Sequence, residues 1–441
     1  MSDEDGTRRN VTHRAVLAIA VPIVISNLST PLLGIADTAV MGRMGDPKYI
    51  GAVAIGALIF TMVYWTFGFL RMGTTGLTAQ ALGAMDGEEI RAALGRALLI
   101  AGAVGFTLIA LQWPIGLAAF ALLDGGEEVE SLARTYFDIR IWSAPAALAN
   151  YALVGWFIGL GRANVALVLQ VFLNLVNIFF NIALALGLGW GVAGIAAGTL
   201  IAEVAAAAAG LAIAARHLRF YPGRWTRAKL MDAQRLARTI AVNRDIMIRT
   251  IVLMFSFAWF TAKSAEAGTV TLAVNSILLQ FVTVSAFFLD GFALAAEALV
   301  GKAFGAGRRE DFDRSARLST GWAAGIACLL SLFILVCGGA ATDFLSIDPE
   351  VRATARDYLF WAALLPVLSV WCYQLDGIFI GATRGAEMRN AALASSALFL
   401  MLWWLFLPYG NHGLWAALTG FNLMRAASLG FYYPRLRREL A

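Results

Sequence analysis

Residues Ala15 to Met41 read AVLAIAVPIVISNLSTPLLGIADTAVM, 27 residues in which Asp37 is the one ionisable side chain. An α-helix rises about 1.5 Å per residue, so the stretch covers about 40 Å, more than the roughly 30 Å hydrocarbon core of a bilayer. So long an apolar run reads as a membrane-crossing helix. Pro22 and Pro31 interrupt its hydrogen-bond ladder and give it points at which to bend.

The same kind of run recurs along the chain. Eleven further apolar segments lie near 50–72, 93–122, 135–160, 164–187, 191–215, 244–262, 270–300, 316–341, 356–382, 389–408 and 412–432. Composition agrees: of 441 residues 60% are hydrophobic and 14% charged, where a soluble domain carries about 25% charged residues. A soluble enzyme, a DNA-binding protein and a secreted disulfide scaffold are all excluded. Cys328, Cys337 and Cys372 sit in apolar stretches without metal-ligand spacing and read as small core residues. His13, His217 and His412 lie far apart in polar connectors. No metal site and no cofactor is expected. The first apolar run is too long for the core of a cleavable signal peptide.

Lys and Arg set the orientation. With the N-terminus inside, 25 of the 34 basic residues fall on the cytoplasmic side and six outside, while an outer connector reads Asp124-Gly-Gly-Glu-Glu-Val-Glu130. Nine of the 25 are in the central connector, from Arg216 through Arg249. Both termini are expected in the cytoplasm, and topology accounts for the net charge of +5 without a nucleic-acid partner. Membrane lipids are the generic partner of such a basic face.

The halves resemble each other at an offset of 221–222 residues. Ala52-Val53 matches Ala273-Val274, Pro145 matches Pro366, Gly155-Trp-Phe-Ile-Gly159 matches Gly377-Ile-Phe-Ile-Gly381, and Arg162 matches Arg384. Six spans per half make the repeat parallel, related by an axis along the membrane normal, as in transporters that bind substrate between two lobes. The expected fold is an all-α polytopic membrane protein with twelve transmembrane helices in two pseudo-symmetric six-helix lobes. Its expected parts are a tail over 1–14, a first lobe over 15–215, a basic linker over 216–243, a second lobe over 244–432 and a tail over 433–441.

Polar residues inside the spans carry the functional signal, because an ionisable group in hydrocarbon costs at least about 2.5–3.5 kcal/mol. Asp37 lies roughly 9 Å below the outer end of its helix. Desolvation disfavours its charged form, which makes it a candidate proton carrier. Gln170, Asn174, Asn177 and Asn181 follow at spacings of 4, 3 and 4 and share one helical face. Such a stripe either lines a wet cavity and joins Asp37 or glues helices together. Asn150, Thr199 and Glu203 add polar groups nearby. In the second half the offset places Ala258 opposite Asp37, so the repeat is chemically asymmetric. That half has Asp290, Glu297 and Asp376 instead, three carboxylates that would attract cations or protons if they faced one cavity. Arg71 and Arg425 are expected to snorkel to the inner interface. No GxxxxGK[ST], HExxH or GxSxG motif is present, which argues against ATP-driven pumping and intramembrane hydrolysis.

Several stretches taken together resemble the MATE (multidrug and toxic compound extrusion) family. They are Asp37-Thr-Ala-Val-Met-Gly-Arg-Met-Gly45, Leu70-Arg-Met-Gly-Thr-Thr-Gly-Leu-Thr-Ala-Gln80 and Leu289-Asp-Gly-Phe-Ala-Leu-Ala-Ala-Glu-Ala298. Trp371 through Arg384, followed by Glu387-Met-Arg-Asn390, resembles its bacterial DinF branch. The resemblance spans essentially the whole chain. It implies efflux of amphipathic organic compounds, driven by inward proton or sodium flow, from a bacterial cytoplasmic membrane, with the protein acting as a monomer. By resemblance, Asp37, Asn177 and Thr199 belong to a cation-coupling cluster of the first lobe, and Pro22 is where the first helix bends. Asn181 stands where some members have aspartate. One carboxylate fewer favours proton coupling over a sodium cage. Asp376 resembles an aspartate of the NorM branch's sodium site, but the seventh span has no glutamate to complete it. The alternative reading is a lipid-linked precursor flippase of the same fold superfamily, which would need a cationic cavity.

Overall fold

The computed structural model describes residues 11–122 and 126–440, and among them the regular structure is all helical. The first ten residues, most of the expected N-terminal tail, lie outside the described residues, as do Asp124 and Gly125 of the acidic connector. The first half comprises α1 (His13–Gly42), α2 (Pro47–Thr66), α3 (Phe69–Gly83), α4 (Gly87–Ala110), α5 (Gln112–Leu122), α6 (Glu127–Arg140), α7 (Ala144–Gly159), α8 (Ala163–Asn181) and α9 (Gly191–His217). A short α10 (Arg227–Leu230) leads into α11 (Ala233–Glu266), α12 (Thr269–Gly305), α13 (Arg309–Leu345), α14 (Pro349–Gly381), α15 (Gly385–Leu405) and α16 (Gly410–Arg438).

Helix starts follow local chemistry. The side chains of Thr12, Asp46, Asp86, Asp232 and Asp348 accept hydrogen bonds from first-turn amides, which satisfies donors that have no partner inside the helix. Pro47 and Pro349 occupy first-turn positions, where a missing N–H costs nothing. α1 runs without interruption through Pro22 and Pro31.

Among the described residues ten segments are each long and apolar enough to cross a membrane, and α15 with α16 meets that measure as a bent pair. α15 has 21 residues and α16 has 29, each the length of one crossing; counted as two crossings they complete the expected twelve. The second span is broken between α2 and α3, and the fourth by a 3-10 turn at Ile141–Ser143 between α6 and α7. Several helices outrun their apolar runs. The second span, expected to stop near residue 72, continues to Gly83 through Thr74, Thr75 and Thr78, all buried. Those hydroxyls meet protein instead of lipid, so low hydropathy does not end the helix there. α11 likewise begins at Ala233, inside the expected linker.

The packing pattern repeats between halves. α8 pairs with α9 as α15 does with α16; α1 lies on α8 as α11 lies on α15; and α4 lies on α7 as α13 lies on α14. Even backbone exceptions match. Met85 and Gly307, 222 residues apart, both have φ near 60°, and so do Gly161 and Thr383 at the same offset, with φ of 71° and 57°. Each turn carries glycine in one half only. Met85 is 88% exposed, so its left-handed backbone is a cost with no compensating burial. Met85→Gly is expected to raise stability by up to about 1 kcal/mol, part of the relief being cancelled in the unfolded chain. A lower thermal midpoint for purified Met85→Gly protein would contradict this account.

The lobes join along a seam of small residues on the side that carries most Lys and Arg. A Cβ on Gly83 would run into the Lys302 backbone, and one on Gly305 into the backbone of Gln80, so α3 and α12 touch main chain to main chain. Gln80 Nε2 donates across the seam to the Gly381 carbonyl (2.9 Å) and to Thr383 Oγ1 (3.1 Å). α1 contributes Val16, Ala20 and Ile23, packed with Leu289, Phe292 and Ala295 of α12. Farther from the basic end, Asn27 Nδ2 donates to the Phe287 carbonyl (3.2 Å).

Candidate functional site

Beyond Asn27, the polar side chains of α1 turn to α8. Asn174 Nδ2 donates to Ser29 Oγ (3.1 Å) and Gln170 Nε2 to Asn174 Oδ1 (3.0 Å). Two turns farther along, Asn181 Nδ2 donates both to Asp37 Oδ1 (2.8 Å) and to Asn177 Oδ1 (2.8 Å). Asn177 Nδ2 in turn donates to Thr199 Oγ1 (2.9 Å), whose hydroxyl donates to the Ile195 carbonyl (3.0 Å). An unbroken chain of hydrogen bonds thus links α1, α8 and α9. Spacings of three and four put the amides on one face; Gly198 on α9 makes room for them, since a Cβ there would strike Asn181 Oδ1. Asn181, Asn177 and Thr199 are buried and Asp37 is half-buried. Asn181 spends its amide hydrogens on neighbours while its buried Oδ1 has no partner among the described residues. α8 ends just past Asn181 in a π-helical turn, Ile182–Gly187.

A second polar group lies beside this chain. Arg140 Nη1 donates to Tyr136 Oη (2.7 Å), Arg140 Nη2 stands 3.9 Å from Glu203 Oε1, and the guanidinium lies over the Phe60 ring at 4.8 Å. Asn150 Nδ2 donates to the Glu203 carbonyl (3.0 Å). Arg140 is also within electrostatic reach of Asp37. In the sequence Arg140 signals only as an arginine at the edge of a span.

The second lobe departs from three sequence expectations. Arg249, counted with the basic connector, is buried inside α11, and Arg425, expected to snorkel, is 5% exposed. Both guanidiniums donate to Asp376 Oδ2. Asp290 and Glu297, on one face of α12, lie within electrostatic reach of Arg71 and Arg249. The three carboxylates therefore share a region with three guanidiniums and do not form an acidic site by themselves. Asp376, flanked by two arginines, has no room for the charge of a metal cation. The reason is sequence distance: Asp376 lies far along the chain from Arg249, and only packing of α11, α14 and α16 brings them together.

On the basic face, the connector is engaged with α4. Lys229 Nζ lies 3.0 Å from Asp86 and 3.1 Å from Glu88, and Arg235 pairs with Glu89. Burial opposes the charge on Asp86, but the Glu89 amide and Lys229 hold its carboxyl below the usual carboxylate range. A carboxyl lowered on folding adds stability above its unfolded value and loses it as pH falls through the folded value, so this clamp persists at neutral pH.

Two lobes of matched topology, joined at one end and wired internally by polar chains between apolar helices, have the build of a multi-pass membrane protein. The family model MatE matches residues 22–183 and 246–408, one match in each half. The chain belongs to the MatE family. It is 39% identical over 428 residues to the DNA damage-inducible protein F of Escherichia coli K12, covering 96% of this chain and 92% of that protein. The probable multidrug resistance protein NorM of Caulobacter vibrioides is 26% identical, with 96% and 90% covered. An outward-facing multidrug resistance MATE family transporter superposes with a TM-score of 0.87 at 18% identity over 99% of both chains. A MATE in its bent conformation gives 0.84 at 20% identity, over 97% of this chain and 96% of that one. These solved structures share the MATE fold. The chain is a transporter and not an enzyme.

Proposed function

We propose that this transporter is a proton-coupled antiporter that exports amphipathic, cationic or neutral organic compounds across a bacterial cytoplasmic membrane, with both termini in the cytoplasm. The observation that carries the reading is the wiring of Asp37. Asn181 presents its N–H to the carboxylate, a contact suited to an anion and unsuited to a sodium ion, which needs oxygen ligands. A proton on Asp37 turns an acceptor into a donor, and Asn181, the side chain it already touches, carries an unpartnered acceptor in its Oδ1. Protonation therefore rearranges hydrogen bonds between α1 and α8 without requiring a new ligand. Substrate enters while Asp37 is charged, and protonation from the acidic side lowers its affinity; only such differential affinity drives exchange. Joined lobes at the basic end leave access from the opposite side, the extracellular one in this orientation.

The flippase alternative needs an uncompensated cationic cavity for a pyrophosphate. Arg249 and Arg425 share Asp376, which favours the antiporter. Proteoliposomes with ΔpH and ΔNa⁺ imposed separately test the proposal: efflux of a cationic dye should follow ΔpH and ignore ΔNa⁺. Dye movement driven by ΔNa⁺ alone would refute proton coupling.

A further inference from the structure

Between α13, α14 and α16, at the basic end of the second lobe, lies a cavity of about 460 Å³. Its walls include Arg317, Arg437, Trp371, Gln374 and Tyr433. Gln374 is 1% exposed, and neither polar atom of its amide has a partner among the described residues. A buried amide in that condition is costly unless something from outside completes it. Arg437 forks onto Asp313 at 2.8 and 2.6 Å. Arg317 is exposed and makes no ion pair or hydrogen bond among the described residues. The cavity therefore holds one uncompensated cation and, in its wall, an amide whose donor and acceptor are both idle and reach an occupant by a turn of the Gln374 side chain.

Its depth fits the bilayer edge. Arg317 is eight residues into α13, and Gln374 seven residues before the end of α14, so both lie about 10–12 Å in from the helix ends. Trp371 is half exposed one turn deeper. Basic pockets between helices at this level suit anionic lipid head groups.

We propose that this cavity binds an anionic phospholipid of the phosphatidylglycerol type from the leaflet facing the basic end. The phosphate oxygens accept from the Arg317 guanidinium and Gln374 Nε2. A glycerol hydroxyl donates to Gln374 Oε1, and the upper acyl chain lies along Trp371, Leu375 and Ile378. The site is independent of the coupling chain around Asp37 and stands whichever ion drives transport.

The test is native mass spectrometry of the full-length protein titrated with phosphatidylglycerol and, separately, phosphatidylcholine. The parent should retain phosphatidylglycerol preferentially. Arg317→Gln should weaken that binding about fivefold, the loss expected for one surface guanidinium. Gln374→Leu should weaken it as well, whereas Arg435→Gln, an exposed charge lost outside the cavity, should leave it unchanged. Because Arg317 has no partner to lose, its variant should keep the parent's thermal midpoint, and it decides the matter if Gln374→Leu fails to fold. Equal loss in Arg317→Gln and Arg435→Gln, or no loss in Arg317→Gln, would overturn the assignment. So would displacement of the lipid by inorganic phosphate, which would make this a free-phosphate site.

Discussion

Asp37→Asn protein reconstituted into liposomes is expected to lose ΔpH-driven transport altogether, falling to the leak of protein-free vesicles. Asparagine is nearly the same shape as aspartate and keeps an oxygen to accept from Asn181 Nδ2, the contact that Asp37 makes now. The substitution therefore leaves the α1–α8 junction packed and removes only the capacity to gain and lose a proton. A neutral amide at this position would mimic the protonated carrier, so the variant should fold, insert and bind substrate weakly while failing to exchange it. Asp37→Glu, which retains the titrating group one methylene farther out, should recover part of the coupling. Undiminished dependence of substrate movement on the imposed ΔpH in the asparagine variant would remove Asp37 from the mechanism.

The second large effect concerns stability. Asp376 is 6% exposed and accepts from two guanidiniums, Arg249 and Arg425, that are themselves 9% and 5% exposed. Asp376→Asn strands both cations in a poorly solvated place. Breaking a buried pair by removal of one partner costs roughly 3–5 kcal/mol. Arg425→Met should cost clearly less, because Arg249 and Asp376 remain as a matched pair and methionine fills much of the vacated volume. Thermal unfolding of both variants in one detergent checks the ranking. If Arg425→Met proves the more damaging, the carboxylate is not what holds this cluster together.

The contrast between the lobes shows what a sequence can and cannot disclose. Asp37 and the amides of α8 were legible because helical periodicity places Asn174, Asn177 and Asn181 on one face, and because a lone acid in an apolar run demands a reason. The repeat was legible in matching Gly, Pro and Arg positions. The Asp376 cluster was not. An arginine near the end of a hydropathy run looks like a connector charge, and Arg249 read that way because α11 enters the lobe a turn or more before its composition turns apolar. α3 outruns its apolar stretch for the opposite reason: its Thr and Gly residues are hidden by α7, α12 and α14, and a scale calibrated on lipid exposure cannot register that.

α11 has a mechanical meaning that its length makes plain. It is one helix of 34 residues, about 50 Å of rod, with Arg235 held by Glu89 of the first lobe and Arg249 locked to Asp376 in the second. The link between lobes is thus a spindle and not a slack rope. Its foot is mounted on one half and its shaft is built into the other, so any change in the angle between the halves would load the Arg235–Glu89 pair together with the α3–α12 seam.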